Sequence, residues 1–123
     1  MARSSIAEAL TELRKILVTY ERNHQAEAIS KLLHWQVTDA ARFENELVKN
    51  DLWTGPRAIY MVSFYESSRQ PLAVVRDAEV RFRNAIIRLV EAMDAQGLRN
   101  LHAQKVASRM EIMNKLSMKQ SQP

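Results

Sequence analysis

Three histidines and a cluster of arginines are the side chains of this 123-residue chain that could carry chemistry. Glu21 and His24 have the Glu-x-x-His spacing, which in di-iron helical bundles places a carboxylate and an imidazole on one helix face. Those sites need two such motifs and two further carboxylates, and this sequence contains one motif. We therefore interpret His24 as a helix-capping or solvent-exposed residue, and we predict no metal ligands.

His34 precedes Trp35, so an imidazole base could lie beside an aromatic ring on which a ligand stacks. Acid–base catalysis needs a partner within hydrogen-bonding distance, and the sequence assigns none, which favours a half-buried histidine beside a core tryptophan. His102 has no neighbouring carboxylate, and no phosphate loop, Gly-x-Ser-x-Gly turn or His-Glu-x-x-His motif occurs in the sequence. Enzymatic activity is therefore unsupported, and we predict no catalytic residue and no cofactor.

The arginine cluster consists of two pairs with a spacing of seven residues, Arg76 with Arg83 and Arg81 with Arg88. Asp77 lies four residues before Arg81, and Glu79 lies four residues before Arg83. Charges at this spacing pair along one helix, so internal ion pairs account for two of the four cations.

Val80 and Ile87 lie between these arginines and point away from the main apolar stripe of the same segment. An apolar pair flanked by arginines resembles an association seam more than a solvated face. With Trp53 near its edge, this seam predicts a self-association surface and therefore a possible homodimer.

The formal net charge of +4 raises the question of nucleic-acid binding. Residues 1–56 carry seven Lys and Arg against eight Asp and Glu, and the remainder carries eleven against six. The excess cations alternate with acids, which favours a solvated helical surface over a phosphate-binding one. The nucleic-acid alternative requires five arginines on one surface: Arg57, Arg69, Arg76, Arg83 and Arg99.

Cysteine is absent, which excludes disulfides, thiolate metal ligands and cysteine nucleophiles. The N-terminal residues lack the apolar run of a signal peptide, and no apolar run approaches the roughly 20 residues that a membrane helix needs. These features predict a cytoplasmic protein without a membrane partner.

Apolar residues at steps of three and four predict helices through the first half of the chain. The first begins at Ser5, which has a capping-box spacing to Glu8, and its stripe is Ile6, Leu10, Leu13, Leu17 and Tyr20. The second runs from about His24 to Thr38, with a core side formed by Ala26, Ile29, Leu33 and Val37. Asp39 either caps a further helix that Asn50 ends, or residues 24–49 form one bent helix.

The second half reads as two long helices. One runs from Pro71 to about Gln96, with Gly97 suited to the left-handed position beyond its end. Its core arc is Val75, Ala78, Phe82, Ala85, Ile86, Leu89 and Met93. The other runs from about Arg99 to Met118, with an apolar face of Ala103, Val106, Met110, Met113 and Leu116. Residues 119–123 are expected to be a frayed tail.

Between the two halves, Ile59–Tyr65 is apolar on almost every side, so it shows no helical or strand period. We interpret it as a short central helix that the amphipathic helices surround, with Leu52 and Trp53 closing one end of the core. The alternative is a partly exposed aromatic surface that binds a partner or a second subunit.

The approach to this stretch has a recognisable pattern, carried by Phe43, Leu47, Asn50, Leu52, Trp53, Gly55 and Ile59. Over residues 10–59 it resembles a family of small helical bacterial domains of unknown function, in which two helices lead to an N-L-W-G-G-x-G-S-I turn. Thr54 stands at the first glycine, and Pro56-Arg57-Ala58 replaces the glycine-serine end. The resemblance implies a binding role, such as that of an immunity-type or adaptor protein, and no catalytic one.

These observations predict a single all-α domain over residues 1–118, a bundle of four to six helices around the central apolar helix. The predicted function is binding of a protein partner by surface complementarity. The candidate contacts are Trp53, Arg57, Arg76, Val80, Arg83 and Ile87. A small-molecule or metal site would instead require His24 or His34 to face a cavity beside Trp35 and Trp53.

Overall fold

The computed structural model describes residues 2–54, 58 and 71–121, and every regular element within these ranges is an α-helix. The helices are α1 (Ala2–Thr19), α2 (Asn23–Thr38), α3 (Ala40–Leu47), α4 (Asn50–Trp53), α5 (Leu72–Ala95) and α6 (Leu101–Ser121). Helix α1 contacts both α2 and α5, α3 packs on α2, and α6 packs on α5 and touches α4. The predicted all-α bundle is confirmed, whereas the predicted central helix Ile59–Tyr65 lies outside the described residues.

The predicted stripe of α1 is confirmed for Ile6, Leu10, Leu13 and Leu17, which are all fully buried, whereas Tyr20 lies just beyond the end of α1 and is half-buried. Its predicted start at Ser5 is wrong. The helix begins at Ala2, and Ser5 is an exposed residue inside it. The residues before Ser5 contain no helix breaker, and alanine and arginine are good helix formers, so the helix extends past the capping-box spacing.

The turn between α1 and α2 holds a non-glycine residue in the left-handed region. Glu21 has φ of 58°, and its N–H donates to the Val18 carbonyl at 3.1 Å. The next N–H, that of Arg22, donates to the Leu17 carbonyl at 2.8 Å. This pair of bonds is the Schellman motif, which closes the end of α1 and reverses the chain into α2.

Residues 24–49 are two helices and not one bent helix, because Asp39 caps α3. The Asp39 carboxylate accepts a hydrogen bond from the Arg42 N–H at 3.2 Å, the bond expected of an N-cap residue. Helix α2 buries Ala26, Ile29 and Leu32. The predicted core position of Val37 is wrong. Its side chain is 83% exposed, since it lies in the last turn of α2, beyond the last buried residue of that helix.

The end of α3 is tied to the rest of the bundle by side-chain donors to its free carbonyls. The indole N–H of Trp53 donates to the Leu47 carbonyl at 2.9 Å, and the Asn100 amide donates to the Val48 carbonyl at 2.6 Å. The Asn100 side-chain oxygen also accepts the Ala103 N–H at 3.1 Å, which caps the start of α6. Asn50 was expected to end this region, and instead it begins α4.

Helix α5 is the longest helix described, and all seven residues of its predicted core arc are buried. Pro71 was predicted to be its first helical residue and is instead its N-cap, so the helix begins one position later, at Leu72. Its end follows the prediction. Gly97 has φ of 77°, and the Leu98 N–H donates to the Met93 carbonyl at 2.8 Å, which completes a second Schellman motif.

Helix α6 runs antiparallel to α5, and it extends beyond the predicted end at Met118 to Ser121. Its buried residues are Ala103, Val106, Ala107 and Met110. The predicted core positions of Met113 and Leu116 are wrong, because these side chains are 38% and 55% exposed. Leu116 follows Met110 by six residues, which turns it about 240° around the helix and away from α5.

Candidate functional site

Trp53, a predicted partner contact, is a core residue. Its side chain is 1% exposed, and its indole N–H is bound to the Leu47 carbonyl. Its predicted burial in the core is confirmed, and its role as a surface contact is corrected. Leu52, beside it, is half-buried and packs against the core cluster.

Arg83, a second predicted contact, is 8% exposed and bridges two helices. Its guanidinium donates to the Glu79 carboxylate at 3.2 Å and to the Asn114 side-chain oxygen of α6 at 3.4 Å. The predicted Glu79–Arg83 pair is confirmed, as is the Asp77–Arg81 pair, which is 3.4 Å long. Because its guanidinium faces inward, Arg83 is not available to a partner, and we correct that assignment.

The burial of Arg83 also breaks the surface on which the nucleic-acid alternative depends. Arg76 and Arg99 are exposed, while Arg57 and Arg69 lie outside the described residues. Two of the five arginines are therefore exposed, and a third is enclosed between α5 and α6. No shared phosphate-binding surface follows from the described part of this set.

The predicted self-association seam lies on the side of α5 that faces α6. Val80 and Ile87 are half-buried, and Ile87 packs against the core cluster. Asn84 is three residues before Ile87, and its side-chain oxygen accepts the Asn114 amide at 2.9 Å. Asp94, seven residues after Ile87, accepts the Gln104 amide at 3.1 Å. Helix α6 of the same chain thus covers part of this stripe, and self-association through Val80 and Ile87 stays a prediction.

One groove contains residues of the predicted small-molecule alternative. It has a volume of about 480 Å³, and its walls come from α2 and from the α3–α4 region. Its lining residues are His24, Glu27, Ala28, Lys31, Leu32, Trp35, Glu46, Lys49 and Leu52. His24 and Trp35 therefore share a cavity, whereas neither His34 nor the buried Trp53 is among its lining residues. The predicted half-burial of His34 is wrong, because this residue is exposed.

The charges along this groove are already balanced. Lys31 lies 3.9 Å from the Glu27 carboxylate, and Lys49 lies 3.3 Å from the Glu46 carboxylate. The Arg42 guanidinium lies 4.2 Å from the centre of the Trp35 ring, so a cation already covers one side of the indole. Within the described residues, no three His, Asp or Glu side chains come close enough to hold a metal ion.

The exposed side of α6 is the surface that sequence reasoning missed. We call it the outer face of α6, and it consists of Leu101, Lys105, Ser108, Arg109, Ile112, Lys115 and Leu116. Leu101, Ile112 and Leu116 are 70%, 59% and 55% exposed, on the side opposite Ala103 and Met110. The spacing of eleven and four residues between the three aliphatic side chains was the available signal, because it keeps them within one third of the helix circumference.

The outer face of α6 is cationic as well as apolar. Lys105, Arg109 and Lys115 lie on it, and none of them takes part in the ion pairs found in the described part of the chain. Glu111, the one acid in α6, lies about 100° around the helix from Ile112. Lys105 and Arg109 are four residues apart, a like-charge spacing that costs the helix stability unless an anion lies nearby.

Comparison with known proteins adds no relative, since no family model, curated protein or solved structure matches this chain. The resemblance of residues 10–59 to a family of small bacterial domains stays a prediction. Among the described residues, no helix combines the length and the apolar character that crossing a bilayer requires.

Proposed function

We propose that this chain is a protein-interaction module that binds its partner through the outer face of α6. One observation carries the proposal: Leu101, Ile112 and Leu116 are each more than half exposed on one side of a helix whose other side is buried. Aliphatic side chains collected on one exposed face mark interaction sites more often than singly scattered ones do.

The same helix is well suited to present a binding surface because it is fixed at several points. Asn100 caps its start, Gln104 bonds Asp94, and Asn114 bonds both Arg83 and Asn84. A surface on an ordered helix loses little conformational entropy when a partner binds. A cytoplasmic location and an immunity-type or adaptor role belong to the same proposal.

Site-specific photo-crosslinking in the native host tests this function. A photoreactive phenylalanine analogue would replace Ser108, which lies in the middle of the outer face of α6. Thr11, an exposed residue of α1, provides the control position. We expect Ser108 to give an adduct with a different protein, and we expect that adduct to disappear when Ile112→Asp and Leu116→Asp are combined with it.

The Thr11 control distinguishes specific from non-specific crosslinking. Equal adducts from Ser108 and Thr11 would show non-specific contact. Adducts made only with another copy of the chain would replace the heterologous partner with a homodimer.

A second candidate function is small-molecule binding in the groove between α2 and the α3–α4 region. The observation that favours it is the shared cavity of His24 and Trp35, which at about 480 Å³ has the size of known ligand sites. A ligand there would change the fluorescence of Trp35, and Trp35→Phe would remove that change. A fluorescence response that survives Trp35→Phe would contradict binding at this groove.

A further inference from the structure

We propose that the partner presents an acidic amphipathic helix to the outer face of α6. This inference rests on the proposed function and names the chemistry of its partner. It is carried by the order of apolar and cationic residues along α6, where no carboxylate lies four residues before Lys105 or Arg109.

The outer face of α6 has the layout of a helix-packing stripe. Its central positions follow one another at steps of four, three, four and four, namely Leu101, Lys105, Ser108, Ile112 and Leu116. Residues at these steps line one side of a helix and form the ridges into which a second helix packs. The stripe is about 22 Å long, the length of roughly four helical turns.

Lys105 and Arg109 on this face favour a partner that carries carboxylates. On α5, Arg81 and Arg83 are paired with Asp77 and Glu79, and Arg88 donates to the Asn84 carbonyl at 3.4 Å, while the exposed Arg76 takes part in none of the ion pairs found among the described residues. On α6, the corresponding exposed cations have no carboxylate four residues before them, apart from Lys115 with Glu111. A partner helix with acids beside its apolar stripe would neutralise Lys105 and Arg109 while covering Ile112 and Leu116.

The same arrangement of charges and aliphatic side chains disfavours three other partners for the outer face of α6: a second copy of the chain, a nucleic acid and a lipid surface. A second copy docking through the same face would bring both copies of Lys105 and Arg109 into one interface without any acid of that face to pair with them, and like charges within an interface oppose binding. A nucleic-acid backbone would leave the three aliphatic side chains without an apolar contact. A lipid surface prefers a continuous apolar face, whereas Lys105 and Arg109 interrupt this one between Leu101 and Ile112.

Two synthetic peptides of about five helical turns test the inference. Both carry leucines at helix-packing spacing, and one carries glutamates beside the leucines while the other carries lysines. Titration calorimetry at physiological salt would measure both affinities. We expect the native protein to bind the glutamate peptide at least about tenfold more tightly than the lysine peptide.

Variants of the protein separate charge complementarity from general attraction. The double change Lys105→Glu with Arg109→Glu should reverse the preference between the two peptides. The matched control, Lys15→Glu with Arg76→Glu, makes the same charge change at exposed positions on α1 and α5 and should keep the native preference. Ile112→Ser with Leu116→Ser should weaken binding of the glutamate peptide by about tenfold or more. Circular dichroism verifies that each variant keeps its helicity.

Several results would overturn the inference. Equal affinity for the two peptides, or a reversed preference in the control variant, would remove the role of Lys105 and Arg109. Tight binding to phosphatidylserine-rich vesicles or duplex DNA without peptide discrimination would assign the face to a lipid or a nucleic acid. If Ser108 still crosslinks to a heterologous protein while neither peptide binds, the acidic helix is wrong and the proposed function stands. If the crosslink also fails, both are wrong.

Discussion

Replacing Asn100 with alanine removes two hydrogen bonds from the junction of α3, α4 and α6. The Asn100 side chain is enclosed, at 8% exposure, and it both caps α6 and binds the Val48 carbonyl. Loss of the cap costs about 1 kcal/mol of unfolding free energy. The half-buried Val48 carbonyl loses its donor, which costs about 1–2 kcal/mol more.

We therefore expect Asn100→Ala to lower the free energy of unfolding by about 2–3 kcal/mol. An unfolding entropy of about 2.1 cal/mol/K per residue over 123 residues converts each kcal/mol into about 4 °C of melting temperature. The melting temperature should accordingly fall by about 8–12 °C. Urea titration followed by circular dichroism measures the free energy, and a thermal scan measures the temperature.

Asn100→Ser separates the two contributions. Serine is a good N-cap but is too short to replace the amide bond to Val48, so this variant should recover about 1 kcal/mol relative to alanine. A loss below about 0.5 kcal/mol for Asn100→Ala, the range of a neutral surface change, would refute the reasoning. Serine and alanine variants of equal stability would refute the assigned cap.

Three further predictions test the packing and the backbone. Gly97→Ala should lower the free energy of unfolding by about 1 kcal/mol through its left-handed φ alone, since no atom lies within 4 Å of the added Cβ. Glu21→Gly should raise it by up to about 1 kcal/mol, because glycine adopts the positive φ of this position without steric cost. Urea titration measures both changes, and opposite signs would contradict the reasoning. Ile87→Glu should destabilise the monomer by about 2 kcal/mol or more, because this side chain packs against the core cluster. Unchanged stability together with loss of a dimer in sedimentation would instead support self-association through Val80 and Ile87. Phe82→Ala should cost about 3–5 kcal/mol while Arg81→Ala stays near zero, and equal losses would show that the buried face of α5 is misplaced.

The features that sequence could predict are those decided within one helix. The buried stripes of α1 and α5 follow from a period that repeats over four or more turns, and the Glu79–Arg83 pair follows from its spacing of four residues. Gly97 was predicted in the left-handed position because few other residues adopt it. The left-handed Glu21 carries no such signal.

The features that could not be predicted from the sequence depend on how the helices pack on one another. Val80 and Ile87 look unpartnered along α5, and only the bonds from Asn114 and Gln104 show that α6 lies over part of their stripe. Leu116 looks like a core residue when steps of three are counted from Met110, yet its angle around the axis turns it outward. The outer face of α6 could be found once the buried side of that helix was known.

The central claim, that the outer face of α6 is the binding surface, is tested most directly by NMR mapping with the glutamate peptide. The chain has two tryptophans, so their indole N–H signals act as internal reporters for other sites. Trp53 reports on the core, and Trp35 reports on the groove between α2 and the α3–α4 region. We predict chemical-shift changes concentrated between Leu101 and Leu116, with both indole signals unmoved. Changes that cluster at Trp35 and along α2, with α6 unaffected, would contradict the account and move the binding surface to the groove.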